Sequence, residues 1–256
     1  MKKIQFISAT LSILSILAGC QKSDLSAPTS TDITADILLG KIDPAEFIVP
    51  ENFVEGVTNP YFPLNVGDTM FFVLTGFEDG VYFTEESYIA VTPDVKVITG
   101  INCVVVRDAV FQDGIIAEDT YDWYAEDKFG NLWYLGEDTK KYADDGSFST
   151  VGSFEHGIDG ATGGIQMLAD PGARIGHQYQ QENYPGFAVD RAKIVNADAT
   201  VTIGLGTFTG CLQIAETSPL APGILGYKYY YPGLGQVFSI TTVGPEEEQE
   251  LVSTSF

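Results

Sequence analysis

The stretch that most constrains this chain is Glu118 to Asp138, where Tyr121, Trp123 and Ala125 alternate at period two with Asp122, Tyr124 and Glu126. Lys128-Phe129-Gly130-Asn131 then carries turn chemistry, and Leu132-Trp133-Tyr134-Leu135 returns. Such a pattern reads as a β-hairpin. Both tryptophans of the chain lie in it. The Tyr121/Trp123 side is expected to face a core, leaving Asp122, Tyr124 and Glu126 on the opposite side.

A second hairpin of the same kind runs from Gly226 to Ser239, with Tyr229 in the place of Trp123 and Phe238 in that of Trp133. The lead-ins also match: Gly67 stands 36 residues before Cys103, and Gly176 stands 35 before Cys211. Landmarks in the same order at near-equal gaps predict an internal duplication. Between and around them, Thr69–Leu74, Tyr82–Val91, Val95–Ile98, Cys103–Phe111 and Ile115–Ala125 are rich in β-branched and aromatic residues. Asp79-Gly80, Asp113-Gly114 and Asp145-Gly146 supply two-residue turn signals, and no long stretch has helical period. The expected fold is all-β: one antiparallel, duplicated domain over 37–256, half-barrel or sandwich-like. Its halves are expected at about 59–136 and 171–256, joined by a glycine-rich connection at about 137–170. One helical turn is expected near Pro44-Ala45-Glu46-Phe47.

The N-terminus is a targeting segment. Lys2 and Lys3 precede an apolar run that ends at Leu17-Ala18-Gly19-Cys20, too short for a permanent membrane span. Those last four residues resemble the lipobox of bacterial lipoproteins. The resemblance implies a signal peptide over 1–19, lipidation of Cys20 by palmitate-type acyl chains, and a membrane partner through that anchor. It places the protein in the cell envelope, at the outer membrane. Residues 20–36, rich in Ser, Thr, Pro and Asp, read as a flexible tether. Gln21-Lys22-Ser23-Asp24 resembles the surface-export signal of Bacteroidetes lipoproteins, with Ser23 interrupting the acidic run, so surface and periplasmic faces both stay open.

The formal charge is −22, which excludes nucleic acid as a direct partner, because phosphate binding needs the opposite sign. Clustered acids are hard oxygen ligands, and calcium at Asp138 and Asp159 is one reading. Zinc is disfavoured, since His156 and His177 lack ligand spacing. With Cys20 lipidated, Cys103 and Cys211 are the remaining thiols, and their matching places allow either a disulfide or two buried free cysteines. No complete catalytic constellation is present, which favours a non-catalytic binder of a ligand or an envelope protein. The alternative is a carbohydrate-active hydrolase drawing two acids from Asp122, Glu126, Asp159, Glu182 and Asp190. Trp123 and Trp133 would then form an aromatic surface for sugar rings, with Tyr179 and Tyr184.

Asp122 to Asp138, Asp159-Gly160-Ala161 and Tyr179-Gln180-Gln181-Glu182 together resemble a group of uncharacterised secreted bacterial proteins, over most of residues 59–243. The resemblance brings no activity with it. It directs attention to Glu137, Asp138, Asp159, Gln181 and Glu182 as the candidate ligand or metal site.

Overall fold

The computed structural model describes residues 32–78, 80–143 and 145–256. The signal segment, Cys20 and tether residues 20–31 lie outside the described residues. Tether residues 32–36, by contrast, are folded. Asp32 caps helix α1 (Ile33–Leu38), accepting a hydrogen bond from the Ala35 N–H at 2.9 Å, and pairs with Arg174. Thr34 is buried against Asn131, so this stretch gains contacts that its composition alone does not promise. Helix α2 (Pro44–Phe47) forms where expected, with Asp43 as its cap.

Sixteen strands follow among the described residues. The first half contributes β1 (Phe53–Val54), β2 (Thr69–Glu78), β3 (Val81–Ile98), β4 (Ile101–Gln112), β5 (Ile115–Asp127) and β6 (Leu132–Tyr142). Next come β7 (Phe148–Ser149), β8 (Phe154–Glu155), β9 (Thr162–Met167), β10 (Gln178–Gln180) and β11 (Glu182–Asn183). The chain ends with β12 (Arg191–Ile203), β13 (Gly206–Thr217), β14 (Leu225–Tyr231), β15 (Gly235–Val243) and β16 (Glu246–Thr254). Thirteen of them pair in the order β10-β12-β13-β14-β15-β16-β2-β3-β4-β5-β6-β9-β11. The sheet curls into an antiparallel, nearly closed barrel. Two expected strands, 82–91 and 95–98, are a single β3 with an irregular register between Val91 and Val95. The β4–β5 turn has positive φ at both Asp113 (51°) and Gly114 (77°), as a type I′ turn requires.

The glycine-rich connection is corrected by this topology. Residues 137–142 belong to β6 and 162–167 form β9, a strand of the barrel wall. The segment 178–183 then does what no single strand of the meander does. It pairs with β12 through 178–180 and with β9 through 182–183, joining the two ends of the sheet. Gly164 makes the join possible, because a Cβ there would fall against the backbone oxygens of Gln180 and Gln181. Gly164→Val should therefore open the seam and lower stability by about 3 kcal/mol, the upper range for overpacking. A urea midpoint unchanged by the substitution would show that the seam does not carry the barrel.

Candidate functional site

Closing a twisted sheet gives every strand one face toward a lumen, and on β4, β5 and β6 that face carries polar groups. On β5 the buried, inward positions are Thr120, Asp122 and Tyr124, while Tyr121 and Trp123 alternate outward and are only half-buried. The expected orientation of this hairpin is thus reversed. Outside the barrel, Trp123 lies under the Lys96 ammonium, 4.4 Å from the ring. Trp133 is fully buried against α2, stacked on Phe47 at 5.3 Å, with its indole N–H donated to Asp127. Trp133 thus has no exposed face for a sugar ring, and Trp123, half-exposed beside Lys96, lies outside the lumen. The N-terminal segments supply the outer cover that makes an aromatic exterior tolerable.

Strand register assembles the lumenal groups. Asp122 of β5 sits opposite Glu137 of β6, Thr120 opposite Thr139, and Asp108 of β4 opposite Thr120. The Tyr134 hydroxyl lies 2.5 Å from Asp122 Oδ1 and 2.8 Å from Glu137 Oε2. A phenol has one proton to give. If it donates to Asp122 it must accept from Glu137, so the trio holds a shared carboxyl proton. Burial pushes the carboxyl of Asp122 well above its usual range, outweighing the Tyr134 hydrogen bond. Burial likewise raises Glu137 to about 7, and raises Glu182 to about 8 with help from Asp190 and Glu137. Asp108 rises to about 6 by burial, although Ser87 Oγ donates to it at 3.1 Å.

One cation answers these acids. Burial alone would lower the Lys228 pKa, but Glu216 at 2.8 Å raises it, so the ammonium stays charged. Lys228 is walled in by the barrel, yet its side chain remains 36% accessible because it opens on the lumenal space. Gln181 Nε2 donates to the other oxygen of Glu216 at 3.1 Å. Beside this group lies a cavity of about 160 Å³. It is lined by apolar Leu64, Met70, Phe72, Ile89 and Val106 and by Asp68, Asp108, Asp122, Gln166, Lys228, Tyr230 and Gln236. Pro63, Gly235 and Phe256 also line it.

Of the residues singled out from sequence, Glu137, Gln181 and Glu182 come together around the lumen. Asp138 and Asp159 do not. Asp138 takes the outward position between Glu137 and Thr139, and Asp159 is exposed in a turn at φ 49°. Among the described residues no three His, Cys, Asp or Glu side chains converge as metal ligands, so the geometry gives calcium no shell at this pair. Glu126 is structural, accepting from Thr58 N, Thr58 Oγ1 and Asn59 N. Asp190 is exposed at the seam, and Tyr184 stacks on Phe187. Tyr179 is buried with its hydroxyl unpartnered. His156 accepts from Gly163 N at 3.3 Å, and burial lowers its pKa; His177 is exposed.

The disulfide reading is also corrected. Cys103 and Cys211 are both free and buried, on β4 and β13, in separate apolar clusters. Burial pushes the Cys103 thiol up to about 12, as expected of a cysteine behaving as a small apolar residue.

Sequence reasoning missed Asp108, Glu216 and Lys228. A signal existed for two of them. Asp108 interrupts the apolar run of β4, and Lys228 is the one cation among the tyrosines of β14.

No family model matches the sequence, and no curated protein matches it. Solved structures align with the chain at low identity. A protein described as exported, with a YmcC-like fold, from Bacteroides fragilis is 15% identical, with 78% of this chain and 100% of that one covered and a TM-score of 0.42. A protein described as a lipoprotein from Parabacteroides distasonis is 13% identical over 80% and 99% of the two chains, with a TM-score of 0.40. A β-barrel-like protein of a domain of unknown function from Brucella abortus is 11% identical over 74% and 97%, with a TM-score of 0.44.

Proposed function

We propose that this chain is a lipid-anchored cell-envelope protein whose barrel binds a small molecule in its lumen without transforming it. The anchor and its outer-membrane placement rest on the lipobox at Cys20. The lumenal cavity carries the binding reading, because an apolar wall faced by a few convergent polar groups is the usual form of a small-molecule site. Hydrolysis of glycans is the weaker reading. Of its two candidate acids in the lumen, Asp122 is tied to Glu137 through Tyr134 and Glu182 faces the same carboxyls, while the tryptophans that would hold a sugar lie outside the lumen.

The test is a thermal-shift screen of small fragments against the wild type and Ile89→Trp, which fills the cavity. A ligand bound only by the folded state, at a hundredfold excess over its Kd, should stabilise the wild type by about 2.7 kcal/mol and leave Ile89→Trp unmoved. Ligands that stabilise both equally would place binding outside the lumen. Turnover of a glycan or ester that is lost in Glu182→Gln would overturn the non-catalytic part.

A further inference from the structure

We infer that the lumenal cavity selects a small primary ammonium ion carrying a compact apolar body, with its charge set against Asp108 and Asp122. The inference rests on the lumenal-binding reading above and adds the ligand's chemical class.

Size comes first. A cavity of about 160 Å³ compares with an engineered apolar cavity of about 150 Å³ that takes benzene, so about six to eight heavy atoms fit. The Met70, Phe72 and Ile89 side chains in its lining would take the apolar body.

Charge decides the rest. Asp108 faces Ser87 of β3, Glu118 of β5 and Lys228 of β14. Asp122 faces Tyr124 on its own strand, Asp108 of β4, Tyr134 and Glu137 of β6, and Glu182 of β11. Lys228 is the single cation among these groups, and Glu216 already holds its ammonium at 2.8 Å. Asp108 and Asp122 therefore lack a cation of their own, while Asp68, the third carboxyl lining the cavity, is half-exposed and accepts from Asn65 Nδ2 at 2.8 Å. Asp122 is only 9% exposed, and Tyr134 occupies one of its oxygens. The other oxygen makes no hydrogen bond to the described residues. Nearby, beside Tyr230 and Glu216, the buried Tyr179 hydroxyl is likewise unpartnered.

An unpaired carboxylate in such a wall is costly, and each one must either keep a proton or gain a counter-ion. An ammonium brings three donors in a small volume, enough for one oxygen of each carboxyl and for the amide oxygen of Gln166 or Gln236. An anion meets the wrong sign of field. A neutral isostere leaves the carboxyls as they were.

Isothermal titration of the protein with benzylamine, benzyl alcohol and benzoate separates these cases, since the three share a shape and differ in charge. At pH 7.5 benzylamine should bind at least tenfold more tightly than either control. Its affinity should fall at pH 5.0, where the carboxyls hold protons, and binding at pH 6.5 should release protons, read from two buffers of different ionisation enthalpy. Asp122→Asn should weaken benzylamine at least tenfold and leave benzyl alcohol unchanged, and Asp108→Asn serves as the second variant. If the alcohol or benzoate binds as tightly as the amine in the lumen, the ammonium assignment is wrong while lumenal binding stands. Benzylamine binding that persists in Ile89→Trp, or no benzylamine binding up to millimolar concentration, also overturns it; the fragment screen then judges lumenal binding independently.

Discussion

Asp127→Ala is expected to cost about 3 to 5 kcal/mol, the range for breaking a buried charged group's hydrogen bonds. Asp127 ends β5 with 1% of its surface exposed. Its Oδ1 accepts from Phe129 N at 2.8 Å and Asn131 N at 3.0 Å; its Oδ2 accepts from Asn131 Nδ2 and the Trp133 indole, both at 2.9 Å. Alanine leaves four donors without an acceptor, and Asn131 and Trp133 have no exposed surface through which water could replace it. Each buried unsatisfied donor costs about 1 to 3 kcal/mol, although such costs do not simply add. The damage should spread. Asn131 also donates to Thr34 and accepts from Ala169 N, while Asn59 donates to Gly130 and Leu168 carbonyls. The turn therefore ties α1, the segment before β2 and the end of β9 to one hairpin. Asp127→Asn keeps one acceptor oxygen but turns an NH₂ toward two donors, so it should fall between wild type and alanine. Urea unfolding followed by tryptophan fluorescence measures both variants. A loss below about 1 kcal/mol for alanine would mean that the turn is held by strand pairing and not by this carboxylate.

That hairpin was legible in the sequence as a hairpin, and its neighbours as strands, because period two and turn dipeptides are local signals. Which side of it faces inward was not. Tyr121/Trp123 and Asp122/Tyr124 alternate equally well, and only barrel closure decides between them. With polar groups on the lumenal face of β5 and an outer face covered by α2, apolar alternation points the wrong way. The same limit applies to the site. Glu137 and Glu182 stand 45 residues apart in the chain and meet because the segment 178–183 bridges both sheet ends, a pairing set by Gly164 and not by any spacing. Asp138 and Asp159 drew attention through their acidity, but strand parity sends the first outward and a turn takes the second. Lys228 became informative only once a lumen existed for it to face.

Raising the pH from 5 to 8 should destabilise this fold, the reverse of ordinary acid denaturation. In the unfolded chain Asp and Glu titrate near 3.9 and 4.3. In the barrel, burial raises Asp108 to about 6, Glu137 to about 7 and Glu182 to about 8, and holds Asp122 well above its usual range. Between the two sets of values the native state binds more protons, so stability falls as pH rises. The contribution is whole below about pH 4 and is lost progressively as each folded-state value is passed. The lowered carboxyls of Asp32 and Asp145 act in the opposite sense, but only below the ordinary Asp range, and both are exposed; His156, lowered by burial, opposes the trend below its unfolded value near 6.5, as one group against four. A shift of one unit corresponds to about 1.4 kcal/mol per group. Water admitted to the lumen screens these groups, and a net loss of about 3 kcal/mol between pH 5 and 8 is the expected scale. For a domain of this size that is roughly 6 to 12 °C in Tm. Self-repulsion within a chain of net charge −22 adds in the same direction and is screened by salt, so the comparison belongs at matched, moderate ionic strength. Glu137→Gln with Glu182→Gln separates the two sources: the double variant should flatten the slope, because its lumen no longer needs those two protons, while its surface charge is nearly unchanged. A Tm that is level or rising over this range in the wild type, or a slope untouched in the double variant, would show that the lumenal carboxyls are ionised in the folded barrel and that their charge is met by something other than shared protons.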